Sequence, residues 1–113
     1  MAGSRVVFHV ADGEPLGHET ALRNVRNTMD DLPGAAVCLV AHGPGLRLLT
    51  GETGFGAGVE ELAAAGVEVL ACRNTMKRLG VAENALRAGV GTVSAGIGEL
   101  VRRQEQGWAY VRV

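Results

Sequence analysis

"VEVLACRNTMKRLG", residues 67–80, changes character at a single position. Up to Ala71 it is an apolar run that suits a buried strand. From Arg73 it carries the polar and long side chains of a helix, which Gly80 can stop. Cys72 stands at the junction. A strand running straight into a helix is half of a crossover, and parallel strands need crossovers because a tight hairpin cannot join them. Repetition of that unit along the chain would fix the fold class.

The unit does repeat. Apolar, β-branched runs recur at "RVVFHV" (5–10), "GAAVCLVA" (34–41), "VEVLA" (67–71), "VGTVS" (90–94) and "WAYVRV" (108–113). Between them lie amphipathic segments. Ala21, Leu22, Val25, Met29 and Leu32 share one helical face before Pro33 and Gly34 stop it. A second segment spans 59–65 and ends at Gly66, and a short third follows Cys72. The last, 95–106, has Ser94 as candidate N-cap, Ile97, Leu100 and Val101 as its buried face, and Gly107 as its end. Alternating strands and helices predict a three-layer α/β/α fold, with helices on both faces of a mostly parallel sheet. The stretch 43–58 resists assignment; a short extra strand is expected at 46–49, and the loop around it is a candidate cover for a site.

With 113 residues the chain is read as one domain, 1–113, that buries about two thirds of the surface its unfolded form exposes. Its longest apolar run, "AAVCLVA", falls far short of the roughly 20 residues a membrane span needs. The stretch 1–14 lacks a basic segment followed by a long apolar one, so a soluble, cytoplasmic protein without membrane contact is expected. Net charge is −1 with both signs scattered, and the aromatics are Phe8, Phe55, Trp108 and Tyr110. Nucleic acid would find neither a basic footprint nor a stacking platform, so no direct nucleic-acid role is expected. Two cysteines in such a chain read as reduced thiols.

Nucleotide signatures fail. "GETGFGAG" (51–58) lacks the Lys-Ser/Thr ending of a phosphate loop, and it follows the second strand rather than the first. The first turn, "ADGEPLGHE", has no run of Ser and Thr to wrap a flavin phosphate.

Parallel strands all point one way, so their C-terminal ends open onto a common crevice. Cys72 stands at that end of the third strand, where Asn74 or Thr75 could cap the following helix and leave the thiol beside unpaired N–H groups. Thiolate would be favoured there, and more so if Arg73, Lys77 and Arg78 face the site. His9 with Asp12 after the first strand, His42 after the second and Ser94 after the fourth come to the same edge. His42 is the candidate proton-handling neighbour, while His9, mid-run, also reads as a satisfied core histidine. Cys38, between Val37 and Leu39, reads as core. Cys72 and Arg78 match the C-x5-R spacing of cysteine phosphatases, but the interval "RNTMK" is helix-forming and has no glycine to curl around a phosphate.

"VEVLACRNTMKRLGV" followed by "GVGTVSAGIGELVRRQEQGWAYVRV" resembles the DsrE/DsrF-like family, which includes the YchN-like and TusD-like proteins; "NVRNTM" and "VAHGPGLRLL" extend the match to its single-domain branch. The resemblance implies a parallel five-stranded sheet and a homo-oligomer, as dimer, trimer or hexamer. In the family's sulfur-relay members a cysteine at the corresponding junction carries sulfur as a persulfide, so here that role would fall on Cys72. Sulfur donor and acceptor proteins would then be the partners, with no cofactor and no metal. The alternative is an oligomeric ligand-binding or assembly module whose cysteine does no chemistry. The last strand would place Trp108, Tyr110 and Arg112 on one face, a candidate subunit contact.

Overall fold

In the computed structural model, which describes residues 3–113, five strands and five helices alternate along the chain. Met1 and Ala2, the start of the stretch read for a leader, lie outside the described residues. The strands are β1 (Arg5–Val10), β2 (Ala36–Ala41), β3 (Glu68–Cys72), β4 (Gly91–Val93) and β5 (Ala109–Arg112). The helices are α1 (Pro15–Asp31), α2 (Leu46–Leu49), α3 (Gly56–Ala64), α4 (Arg73–Leu79) and α5 (Gly96–Glu105). All four strand pairings are parallel, in the order β4-β3-β2-β1-β5. Among the described residues, no helix is long and apolar enough to cross a membrane.

That order sets where a crevice opens. The chain winds outward from β1 to β4, then α5 carries it back across the sheet to the far side of β1. Winding direction therefore reverses between β1 and β5, and ligands of open α/β sheets sit outside the C-terminal strand ends at such reversals. Crossover handedness sends helices of opposite winding to opposite faces. The larger core lies on one face, where Val6, Phe8 and Val10 of β1 pack with Ala21, Leu22 and Val25 of α1, the three leucines of α2, and Val59 and Leu62 of α3. The other face carries a small cluster, Val7, Cys38, Val40, Leu70 and Leu100, with α5 above it.

Three expectations need correction. Residues 46–49 form a helical turn rather than a strand: Pro44 starts a 3-10 turn at Gly43–Gly45 that runs into α2, and Leu46, Leu48 and Leu49 are fully buried. Of the three α5 side chains expected to be buried only Leu100 is, at 4% exposure, whereas Ile97 and Val101 are 54% and 48% exposed. The N-cap of α5 is Ala95; Ser94 lies one residue earlier, exposed, with its carbonyl accepting the Asn74 N–H at 3.3 Å. The glycines of 51–58 make room for a side chain rather than for phosphate: a Cβ at Gly56 would meet the Arg87 guanidinium, which is held by Glu60.

Candidate functional site

Register and parity build the site. Side chains alternate along a strand, and in-register partners of a parallel pair share a face. Val7 pairs with Cys38 and Tyr110, His9 with Val40 and Arg112, and Val40 with Leu70. Two residues further along, His42 and Cys72 continue the same rows. His9, His42, Cys72, Tyr110 and Arg112 therefore all lie on the α5 face at the C-terminal edge. Gly96, the first residue of α5, closes over two of them: a Cβ there would stand 3.1 Å from His42 Cβ and 3.3 Å from Cys72 Cβ. Glycine lets α5 start this close without pressing on either side chain, and its backbone N–H is delivered to the thiol.

Cys72 is itself the N-cap of α4, and Asn74 and Thr75 are residues of the helix rather than its caps. No conventional side-chain hydrogen bond caps α4, because a neutral thiol is a weak acceptor. A thiolate completes the cap. Burial, the largest single effect, opposes ionisation, yet the backbone N–H groups of Gly96, Thr75 and Asn74, with the Thr75 hydroxyl, together outweigh it and lower the Cys72 pKa. Thr75 Oγ1 accepts the Gly43 N–H at 2.9 Å, which leaves the hydroxyl proton to point at sulfur.

Three expected contributors are missing. Arg73 is turned to Thr92 and Glu83, Lys77 and Arg78 are exposed, and the lowering of Cys72 comes from hydrogen bonds rather than from basic side chains. Exposure is also smaller than a strand-end position suggests, since Cys72 is 5% exposed. Cys38 is fully buried, and desolvation pushes its thiol up to about 12, against a smaller opposing pull from Arg103. The interval between Cys72 and Arg78 is helix α4, so no phosphate-curling loop exists there.

His42 is half-buried and its Nε2 lies 2.6 Å from His9 Nε2; His9 Nδ1 in turn lies 2.6 Å from the Tyr110 hydroxyl. The two imidazoles lie edge to edge and nearly coplanar, 4.8 Å between centroids and 18° between planes. Burial holds both below the ordinary histidine range, helped for His9 by His42 and Arg112 and for His42 by Arg112 and Arg78. The residues expected at the edge divide accordingly. Cys72, His42 and His9 come together, whereas Ser94 is exposed and Asp12 turns back to accept the Glu14 N–H at 3.0 Å. Tyr110 is a site residue that reasoning from the sequence assigned only to a subunit contact. His18 went unnoticed there. Fully buried, it bonds Thr53 Oγ1 at 2.7 Å and the Asp12 carbonyl at 2.5 Å, tying the 50–55 loop to α1. Among the described residues, no group of three or more His, Cys, Asp or Glu side chains could hold a metal ion.

Comparison with solved structures places this geometry in a known fold. Protein MTH1491 of unknown function from Methanobacterium thermoautotrophicum superposes with a TM-score of 0.93 at 38% identity, over 97% of this chain and 99% of that one. The ychN protein of E. coli gives 0.80 at 17% identity over 97% and 99%, and BT1422 of Bacteroides thetaiotaomicron, of unknown function, 0.77 at 15% over 97% and 95%. These last two show the fold alone. A search of curated proteins finds no match. The DsrE/DsrF-like family model matches residues 5–113, and with it the chain belongs to the DsrE/DsrF-like family.

Proposed function

We propose that the protein is a sulfur carrier, with sulfurtransferase-like chemistry at Cys72. Its thiolate accepts sulfur as a persulfide from one partner and passes it to the thiol of another. The observation that carries this reading is the ring of donors around Cys72: three backbone N–H groups and the Thr75 hydroxyl favour the thiolate against burial. Membership of the DsrE/DsrF-like family supports it, because the family's relay members use a cysteine at this junction. His42 is the neighbouring group placed to handle protons. The expected setting is a cytoplasmic homo-oligomer that meets donor and acceptor proteins.

The 5% exposure of Cys72 is the observation that favours the alternative, a binding or assembly module with an inert cysteine. Two measurements separate the readings. Mass spectrometry after incubation with a small persulfide should find the added sulfur on the Cys72 peptide, absent in Cys72→Ser and absent from Cys38. Alkylation of Cys72 against pH should show a midpoint below about 8.5, the ordinary cysteine value. An ordinary midpoint with no sulfur uptake would leave only the binding module.

A further inference from the structure

Tyr110, His9 and His42 form an unbroken hydrogen-bonded row across β5, β1 and the residue after β2, and His42 is a neighbour of Cys72 across Gly96, where a Cβ would lie within 3.3 Å of the Cβ atoms of both. Its outer end is open, since Tyr110 is 40% exposed. Its inner end is open too. Among the described residues His42 Nδ1 has no hydrogen-bond partner and no buried side-chain nitrogen or oxygen lacks one, so Nδ1 reaches solvent.

A neutral imidazole carries one N–H, so only two arrangements satisfy the row. In the first, the Tyr110 hydroxyl donates to His9 Nδ1 and His9 Nε2–H donates to His42 Nε2, which makes His42 Nδ1 a donor. In the second every bond is reversed. His42 Nε2–H donates to His9 Nε2, His9 Nδ1–H donates to the Tyr110 oxygen, and His42 Nδ1 presents a lone pair. One proton moved along the row therefore switches His42 Nδ1 between acid and base, with no charge left on either ring.

We propose that this row is a proton relay for sulfur transfer, in which His42 is the catalytic acid and base and His9 and Tyr110 are positioning residues that set and renew its tautomer. The inference rests on the sulfur-carrier reading. In loading, the Cys72 thiolate attacks the outer sulfur of a donor R–S–SH; the new S–S bond forms as the donor's own S–S bond breaks, and R–S⁻ leaves with the electron pair. His42 Nδ1–H protonates that thiolate. His42 Nε2 then takes a proton from His9, His9 from Tyr110, and Tyr110 from water, which leaves the second arrangement. In unloading, His42 Nδ1 takes the proton of an acceptor thiol A–SH, and the row passes one proton back out to water. The acceptor thiolate attacks the outer sulfur of the Cys72 persulfide and releases the Cys72 thiolate. The sum is R–S–SH plus A–SH giving R–SH plus A–S–SH, and the relay returns to its first arrangement.

The surroundings fit a relay that runs without charging. Tyr110 bonds His9, Arg112 and Arg78 act on the rings by their charge, and burial with these arginines holds both imidazoles below the ordinary histidine range.

Leaving-group dependence tests the relay. A thiolate of high pKa needs a proton as it departs, whereas one of low pKa leaves without it. The probes are cysteine persulfide and an aryl disulfide that releases an acidic thiol, each reacted with wild type, Tyr110→Phe and His42→Gln. The ratio of persulfide rate to aryl disulfide rate should fall about 100-fold in His42→Gln, the low end of what a general acid contributes, and by a smaller factor in Tyr110→Phe. Because each ratio is taken within one variant, partial unfolding cancels. An unchanged ratio, whether both rates hold or both fall together, overturns the relay. A wild type that reacts with the aryl disulfide but takes up no sulfur overturns the carrier reading, and the relay with it.

Discussion

At the scale of the residue, the site combines groups held away from the charge they would carry free in water. His9 is 7% exposed and, like the half-buried His42, stays neutral below the pH at which a free imidazole protonates. The unfolded chain would take up those protons near pH 6.5. Between that value and the lower native pKa values the unfolded state holds more protons, so stability falls as pH drops below about 6.5. Cys72 acts in the same direction in the alkaline range, where the folded thiol ionises before the unfolded one does. The urea midpoint should therefore drop between pH 7.5 and pH 5.5, a window above the titration of the depressed Glu99 carboxylate. His9→Asn should flatten that drop, and an unaltered slope would place the dependence on other groups. The positions of Cys72 and His42 at the C-terminal edge of the sheet were legible in the sequence, because Cys72 ends β3 and His42 directly follows β2. Tyr110 was not legible as their partner. It lies 101 residues from His9 and meets it only through the β1–β5 register, which no local pattern encodes.

At the scale of the element, α5 matters most to the site. Glu99 on α5 and Glu68 on β3 both hold Arg103, at 2.7 and 2.9 Å, and the same guanidinium lies 4.6 Å from the Trp108 ring. Leu100 plugs the small cluster beneath. Leu100→Ala should cost about 2–5 kcal/mol in denaturant unfolding, as large-to-small changes in packed cores do. Gly96→Ala is the finer probe. Its methyl would press on His42 and Cys72 Cβ and draw the Gly96 N–H away from sulfur, so the alkylation midpoint of Cys72 should move up towards that of an ordinary thiol. A midpoint that stays put would show that Asn74 and Thr75 suffice. The strands and the long helices were readable from periodicity. Leu46–Leu49 misled because four residues cannot separate a period of 2 from one of 3.6; the helical turn forms because Pro44 starts it and all three leucines then reach the larger core.

At the scale of the molecule, the two faces of the sheet are unequally covered, and that imbalance bears on assembly. Four helices stand on the larger core and only α5 on the other face. Trp108, expected from the sequence to meet a second subunit, packs within its own chain against the small cluster under Arg103. Its replacement by Ala should thus lower stability, whatever it does to assembly. Exposed apolar side chains remain on the same face, Ile97 and Val101 of α5. Apolar residues left open together on a small fold are the kind that subunit contacts cover. Light scattering at micromolar concentration should return a mass of at least two chains. The double variant Ile97→Glu, Val101→Glu should shift that mass towards one chain while the urea midpoint changes by little, because neither side chain is buried in the isolated fold. A wild type that scatters as one chain would refute the homo-oligomer, whereas an oligomer that survives the double variant would move the contact to another surface. In a homo-oligomer joined on the α5 face, a reagent would reach Cys72 along the C-terminal strand edge, where His42 and Tyr110 already open.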